Sequence, residues 1–311
     1  MIYLAAEHFV RAPQWTWFIL GYFFLAGLSG GSYVIATLMR LSGDARDESA
    51  ARLGFYAAFW LLPLCPIFLT ADLGSVSWLK FWHMLINVTP GNVGLNFKYY
   101  SPMSVGVWLL LVFGVFATIS ALGAWLADRR GQTASAPAGP ISVAFNVVGA
   151  LVGLLFASYT GVLLSVSNQP VWSDTWTLGG LFLASGLSGA AALIAWLSRY
   201  RTSAAVSHPR IRVADGYFSL LELILIVVFF ITVIFAGTAS REIATAPLWA
   251  IALIGVAASL VGLRTESRHL STAGGGGEAA ATGVGANVLL VSLLVLIGVL
   301  ALRAAIIFSA Q

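Results

Sequence analysis

The stretch LGFYAAFWLLPLCPIFLTAD, residues 53–72, is an almost wholly apolar run of twenty residues that ends in the carboxylate of Asp72. A helix needs about 20 apolar residues to cross the hydrocarbon core of a bilayer. Pro63 and Pro66 predict a kink in this helix, because proline interrupts helical hydrogen bonding. A charge in a membrane segment is costly, about 2.5–3.5 kcal/mol at the centre and less at the edge. Asp72 is therefore a candidate for transferring a proton or for binding an ion or a polar ligand. The alternative is that it ends the helix at the headgroups, with Gly74 closing it.

The whole chain, like this segment, is rich in apolar residues and poor in charged ones. Of its 311 residues 59% are hydrophobic and 9% charged, and the mean hydropathy is +0.91. Soluble domains carry about 25% charged residues, so the composition predicts an all-α integral membrane protein. Its net charge of +4 comes from basic residues between apolar runs and calls for no nucleic-acid partner. Cys65 is the only cysteine, which excludes an intrachain disulfide or a cysteine-ligated cluster. Residues 1–14 lack the pattern of a cleaved signal peptide.

Eight apolar runs are long enough to span a membrane. They lie at roughly 15–39, 53–74, 102–127, 141–165, 176–198, 217–238, 247–263 and 284–308. The loops after the first, third, fifth and seventh runs contain eleven Arg residues, and the opposite side has five Lys or Arg, Arg303 among them. Basic loops stay in the cytoplasm, so both termini are predicted on the outer, periplasmic side of a bacterial inner membrane.

A short motif occurs twice. Residues 27–31 read GLSGG and residues 186–190 read GLSGA, and eight of fourteen positions match between 27–40 and 186–199. Both copies lie on spans of the same direction, so a parallel repeat of two four-helix bundles is predicted, at 1–170 and 171–311. The alternative is chance similarity of two Gly-rich helices. Gly27 and Gly31 suit close helix packing, with a ligand-facing role as the alternative for Gly27.

Polar and aromatic residues that could bind or react with a ligand lie at the outer ends of the first four spans. Asp72 ends the second span, Tyr159 lies near the end of the fourth, and the first begins with Trp15, Trp17 and Tyr22. An apolar pocket with a few polar groups is typical of a small-molecule site. A lipid-soluble ring with carbonyl groups would suit it, with Tyr159 as hydrogen-bond donor and Asp72 exchanging a proton. The alternative for Tyr159 is membership of an aromatic belt.

Other features narrow the function or leave it open. The four histidines, His8, His83, His208 and His269, lie in loops or at helix ends, so we expect no haem and no metal centre in the bundle. Glu222 is expected near the inner end of the sixth span, either paired with Arg210 or Arg212 or at the inner interface. In the interfacial segment 75–101, apolar residues such as Trp78 and Trp82 alternate with polar ones as far as Asn87, a pattern that predicts an interfacial amphipathic helix before Gly91 and Gly94. It could roof the pocket, dock another subunit, or simply lie at the interface.

Three motifs carry a resemblance to a known family. They are ADLG at 71–74, SPMSVGVW at 101–108, and SYTGVLL at 158–164 followed by Pro170 and Trp172. In this order, after a glycine-rich first helix, they resemble the NrfD/PsrC family, the membrane subunits of polysulfide-reductase-like respiratory complexes. The resemblance is strong over the first five spans and weak over the last three.

The resemblance implies a quinone site, for menaquinone or ubiquinone, in the first bundle near the outer face, with no haem or iron–sulfur cluster in this chain. Asp72 would exchange the proton and Tyr159 would bind the quinone. The other expected contacts are Tyr22, which stands where some relatives have a histidine, with Trp15, Trp17, Gly27, Ser101, Met103, Trp108 and Thr160. A ferredoxin-like iron–sulfur subunit would dock on the periplasmic face and connect to a molybdopterin or multihaem catalytic subunit.

On this interpretation the chain is not an enzyme by itself. Two other functions remain open from the sequence. One is a structural membrane anchor without quinone chemistry. The other is a proton-translocating subunit, with Glu222 and Asp72 at opposite ends of a path.

Overall fold

The computed structural model describes residues 13–74, 78–132, 139–205, 207–272 and 281–311. Within these ranges, eight helices are long and apolar enough to cross a membrane, as the sequence predicts. The spans are Trp17–Leu41, Ala45–Asp72, Pro102–Arg129, Pro140–Ser165, Leu178–Tyr200, Pro209–Ala236, Ala246–Arg264 and Val288–Ser309. This is therefore a multi-pass membrane protein.

The α-helices are numbered in chain order. They are α1 (Trp17–Leu41), α2 (Glu48–Leu61), α3 (Leu64–Asp72), α4 (Pro102–Arg129), α5 (Pro140–Ser165), α6 (Leu178–Leu197), α7 (Thr202–Ala205), α8 (His208–Ala236), α9 (Ala246–Thr272) and α10 (Ala281–Ser309). The ends of α1 at Trp17, α3 at Asp72 and α10 at Ser309 lie on one side of the membrane, here called the N-terminal face. The opposite side, where α1 ends and α2 begins, is called the arginine-rich face.

The second span is broken, as its prolines predict. The helix stops at Leu61 and resumes at Leu64 after Pro63, because a proline has no N–H to continue the helical ladder. The α3 helix then ends at Asp72, and Gly74 follows with a φ of +82°. The conformation of Gly74 suits a helix C-terminus, so the sequence's description of this helix end is confirmed.

The two copies of the repeated motif pack against each other. A Cβ atom on Gly31 of α1 would lie 2.6 Å from the carbonyl oxygen of Gly186 on α6, and one on Gly186 would lie 3.0 Å from the carbonyl oxygen of Gly27. Such close backbone contact requires glycine on both helices. The motif therefore joins α1 and α6 at the centre of the molecule. The division at residue 170 stays a prediction.

Residues 78–87 differ in part from the predicted amphipathic helix. A 3₁₀ helix covers Trp78–Met84, and an antiparallel hairpin follows, with β1 (Ile86–Thr89) paired to β2 (Asn92–Leu95). Pro90 and Gly91 make the turn, with Gly91 at a φ of +83° that favours glycine. The helical interpretation of this segment was wrong beyond Met84, because the Pro-Gly turn and strand residues such as Val88 favour a hairpin.

A network of ion pairs ties the helix ends together at the arginine-rich face. Asp128 at the end of α4 accepts hydrogen bonds from Arg52 of α2 and from Arg201 before α7, both at 2.7 Å. Arg40 of α1 pairs with Glu48 of α2 at 2.7 Å. In the adjoining loop, the guanidinium of Arg46 holds the pKa of Asp44 well below its usual range. The basic residues of this face thus have structural partners beyond any role in orientation.

Two charged groups lie elsewhere than expected. The α8 helix begins at His208, nine residues before the predicted start, so Arg210 and Arg212 belong to its first turns. Arg210 pairs with Asp44 at 2.9 Å and with Asp47. Glu222 is 2% exposed in the middle of α8, so the expected interfacial position is wrong. The expected pairing with Arg210 or Arg212 is wrong as well, because about three helical turns separate either residue from Glu222. Arg303, counted above with the outer residues, is 0% exposed inside the helix bundle.

Candidate functional site

A cavity of about 220 Å³ lies at the N-terminal face between α1, α3, α4 and α5. Its walls are mostly apolar and aromatic, and its polar groups come from one carboxylate and two phenols. The lining residues are Trp15, Ile19, Tyr22, Phe23, Leu69, Asp72, Leu73, Met84, Met103, Gly106, Val107, Tyr159 and Leu163. This composition is typical of a small-molecule site.

Asp72 reaches the cavity because the broken second span ends there. Its Oδ1 accepts a hydrogen bond from Thr16 Oγ1 at 3.2 Å. The same Thr16 oxygen caps α1 by accepting the N–H of Phe18 at 3.4 Å. Asp72 thus lies beside the N-terminus of α1, where the helix dipole favours negative charge. A half-buried carboxylate at the edge of the membrane can reach both the cavity and the aqueous phase.

Tyr159 enters the cavity from α5 and contacts α4. Its hydroxyl donates to the carbonyl of Pro102 at 2.7 Å. The ring lies directly against Gly106, where a Cβ atom would overlap the phenol. Tyr22 is buried on α1 and lines the same cavity. Two phenols thus contribute to a cavity whose walls are otherwise mostly apolar.

The motif at 101–108 builds the cavity's edge. Ser101 caps α4 by accepting the N–H of Ser104 at 3.4 Å. Ser104 Oγ and Trp108 Nε1 both donate to the carbonyl of Asn96, each at 3.2 Å. Asn96 follows β2, so these bonds fix the hairpin segment on α4. Met84, from the same segment, lines the cavity, so the segment covers part of the site, while side chains such as Val93 and Leu95 stay exposed.

The back wall is held by stacked aromatic rings. Trp15 stacks on Trp172 with ring centroids 5.0 Å apart, and Trp172 Nε1 donates to the carbonyl of Ile306 at 2.6 Å. Val171, just before Trp172, has a φ of 71°, and its N–H bonds to Asp174 Oδ2 at 2.8 Å. A valine with positive φ is strained, so local contacts hold this turn, and with it the wall, in place.

The structure brings together half of the residues proposed from the sequence. Asp72, Tyr159, Tyr22, Trp15 and Met103 line the same cavity. The other five lie outside it. Ser101 and Trp108 have the capping and hairpin contacts described above, and Thr160 is buried between helices. Trp17 is 73% exposed and contacts Phe308. Gly27 lies against Arg303 and α6. Whether any of these residues acts on a ligand stays a prediction.

Sequence reasoning missed most of the apolar lining. Leu69, Ile19, Gly106 and Leu163 each lie three or four residues from a proposed site residue, on the same helix face. Helical spacing from Asp72, Tyr22, Met103 and Tyr159 could therefore have identified them. Met84 had no such signal, since its position depends on the fold of the hairpin segment.

Comparisons with known proteins show the family to which the chain belongs. The family model described as "Polysulphide reductase, NrfD" matches residues 6–265. The chain is 28% identical to the C component of polysulfide reductase from Wolinella succinogenes, over 96% of this chain and 94% of that protein. It is also 24% identical to the C component of selenate reductase from Mesobacillus selenatarsenatis, over 38% of this chain and 24% of that protein.

Proposed function

Because this chain belongs to the polysulphide reductase NrfD family, we propose that it is the quinone-reactive membrane subunit of a reductase complex. The named relatives are components of polysulfide and selenate reductases. In this proposal, electrons pass between a membrane quinone and an iron–sulfur subunit docked at the N-terminal face. One observation supports it above the others: Asp72 and Tyr159, distant in sequence, line one apolar cavity at the membrane edge.

The cavity suits the headgroup of a quinone. Its volume of about 220 Å³ is below the roughly 300–1,000 Å³ of sites that enclose a drug-sized ligand. In this proposal the ring alone occupies the cavity, and the long apolar tail extends into the membrane. The bound ring would supply reversible two-electron chemistry with uptake or release of two protons.

The residues that line the cavity have separate parts in this proposal. Trp15 and Phe23 exclude water and contact the faces of the ring. The Tyr159 hydroxyl turns from the Pro102 carbonyl to a ring carbonyl, a change that needs only rotation about its C–O bond. Asp72 exchanges a proton with the ring oxygen on one side and the aqueous phase on the other.

The hairpin segment is the proposed docking surface for the iron–sulfur subunit, which serves a catalytic subunit of the molybdopterin or multihaem class. It exposes several large apolar and aromatic side chains beside the cavity: Val93 74%, Leu95 76%, Phe97 57%, Tyr99 81% and Tyr100 71%. Contiguous exposed apolar side chains mark protein or membrane contact sites. The Arg distribution supports a periplasmic position for this face and both termini, in a bacterial inner membrane.

Substitution of Asp72 by Asn tests the proposal. The neutral amide keeps the shape but cannot exchange a proton, so quinol-linked turnover of the assembled complex falls by about 10²-fold or more. Quinone retained by the purified protein, measured after solvent extraction with menaquinone and with ubiquinone, changes little. Asp128→Asn, at the arginine-rich face and outside the cavity, is the control and leaves both quantities unchanged in the assembled complex. Normal turnover in Asp72→Asn would favour the structural anchor instead.

A further inference from the structure

A stripe of buried polar residues runs along the first half of α8, away from the cavity. Its members recur at spacings of three, four and three, which places them on one helix face. They are Arg212, Asp215, Ser219 and Glu222, with exposures of 7%, 3%, 0% and 2%. Beyond Glu222 the same face is apolar, with Ile226, Phe229 and Val233 buried. Polar residues thus extend from the arginine-rich face to the middle of the membrane and stop there.

Hydrogen bonds connect the lower part of the stripe to α6. Ser188 Oγ donates to Asp215 Oδ1 at 2.9 Å and lies 2.9 Å from Ser219 Oγ. Ser188 belongs to the second copy of the repeated motif. Asp215 and Glu222 interact electrostatically, and the hydroxyl groups of Ser188 and Ser219 lie between their levels on the helix.

Arg303 on α10 is the charged residue at the end of the stripe that lies in the middle of the membrane. It is fully buried and interacts electrostatically with Glu222. Among the described residues no direct ion pair joins the two side chains, and Arg303 Nε has no hydrogen-bond partner. Its Nη2 donates to the carbonyl of Phe182 at 3.0 Å. Gly27 makes room for the guanidinium, since a Cβ atom there would overlap it.

The stripe ends behind the wall of the candidate site. Arg303 Nη1 donates to the carbonyl of Phe23 at 2.8 Å, and Phe23 lines the cavity. At the other end, a cleft of about 450 Å³ opens between α1 and α8 with Asp44, Asp47 and Arg210 at its rim, and it reaches Ala214, next to Asp215. The stripe and Arg303 therefore lie between a cleft at one face and the candidate site near the other.

We propose that this stripe conducts protons between the arginine-rich face and the quinone site, with Asp215 and Glu222 as the groups that accept and release them. Buried carboxylates are expensive to keep in a membrane and are typical of proton relays. Arg303 stays protonated, so it holds Glu222 in position by its fixed charge and does not itself carry the proton.

The proposal rests on the quinone function above and adds the side of the membrane from which protons reach the quinone. Reduction of one quinone consumes two electrons, delivered by the iron–sulfur partner at the N-terminal face, and two protons. Asp72 exchanges one of these protons with the aqueous phase at the N-terminal face, and the stripe supplies the other from the arginine-rich side. Turnover then separates charge across the membrane, and quinol oxidation runs the same path in reverse.

The test follows the protonation of Glu222 without any quinone. The full-length protein is placed in membrane vesicles whose orientation is established by labelling Arg130→Cys with an impermeant thiol reagent. The pH is changed on one side only, while infrared absorption of protonated carboxyl groups is recorded. We expect a band that follows the pH at the arginine-rich face and is absent in Glu222→Gln. In Asp215→Asn the response slows by about tenfold or more, since a gap of about 10 Å along the helix then has no carboxyl group.

Glu242→Gln is the matched control, because Glu242 is also a buried glutamate of the second half but lies near the N-terminal face. It keeps the band and its rate. The proposed path would be overturned by a carboxyl band that responds only to pH changes at the N-terminal face. An unchanged rate of the band's response in Asp215→Asn would overturn it too. Quinone retention by Glu222→Gln, measured separately, stays as in the wild type, so failure of the path is distinguishable from failure of the quinone site.

Discussion

The ring of Tyr159 lies against Gly106 of α4, with no space for a methyl group between them. The contact aligns the Tyr159 hydroxyl with the Pro102 carbonyl, one turn before Gly106, at 2.7 Å. The glycine in the motif at 101–108 thus sets the position of the phenol in the cavity. This position of the phenol depends on both residues, because it comes from a contact between two different helices.

Gly106→Ala is expected to displace Tyr159 from the cavity wall. Overpacking at such a site costs about 1–3 kcal/mol, and part of that cost is relieved as the ring moves into the cavity. We expect a lower thermal unfolding midpoint and at least a several-fold loss of quinone retention, measured by extraction from the purified protein.

The same helix supplies the control for that substitution. Gly123 of α4 has open space around it, so Gly123→Ala leaves quinone retention unchanged and stabilises the helix by up to about 1 kcal/mol. Equal quinone retention in the two variants would mean that the position of Tyr159 does not matter for binding.

Tyr99→Glu is expected to weaken assembly with the iron–sulfur subunit. Tyr99 is 81% exposed beside the hairpin, so a charge there disturbs a docking surface without disturbing the fold. The measurement is co-purification of the partner from membranes. Tyr200→Glu is the matched control, since Tyr200 is 79% exposed at the arginine-rich face. Loss of the partner in Tyr200→Glu alone would place the docking surface at the arginine-rich face and contradict this prediction.

Stability is expected to depend on pH through Glu242, in the loop between α8 and α9. Burial raises the pKa of this carboxyl, although Trp249 Nε1 and Thr245 Oγ1 donate to it at 2.6 and 2.9 Å. The folded protein therefore binds this proton more tightly than the unfolded protein does. The contribution is complete below the unfolded pKa of about 4.3 and is lost as the pH rises through the folded pKa.

Thermal unfolding between pH 4 and 9 measures this effect. Wild type should lose stability relative to Glu242→Gln as the pH rises, by about 1.4 kcal/mol for each unit by which burial raises the pKa. The glutamine keeps an acceptor for Trp249 but has no proton to lose. Parallel curves for the two proteins would show that Glu242 titrates alike in the folded and unfolded states.

Much of the fold follows from local sequence. The eight spans, the break at Pro63 and the helix end at Gly74 were predicted because hydropathy, proline and glycine act within a few residues. The hairpin at 86–95 and the start of α8 were missed. In the first, an amphipathic pattern was followed and the Pro-Gly turn was not used. In the second, charged residues were taken for a loop although they belong to the helix, with Arg212 and Asp215 buried.

The candidate site was predicted only in outline. Asp72 and Tyr159 were expected at one membrane depth, and the structure places both in one cavity. The role of Gly106 and the contribution of Met84 were not predictable, because each depends on a neighbour from another element. Arg303 was placed at the outer surface for the same reason: the sequence shows its distance from the helix end but not which face is covered.

The sequence by itself determined that this protein crosses the membrane eight times and belongs with the NrfD proteins, since hydropathy and motif order are properties of the linear sequence. The tertiary structure decided which polar groups meet. Asp72 and Tyr159 line one cavity, and Arg303 bonds to the back of that cavity. Helix rotation and packing bring together residues up to 280 positions apart, as in the bond from Arg303 to Phe23. Inside a membrane a buried charge is stable only with such partners, so the energetic reason for each charge appears only when the helices are packed.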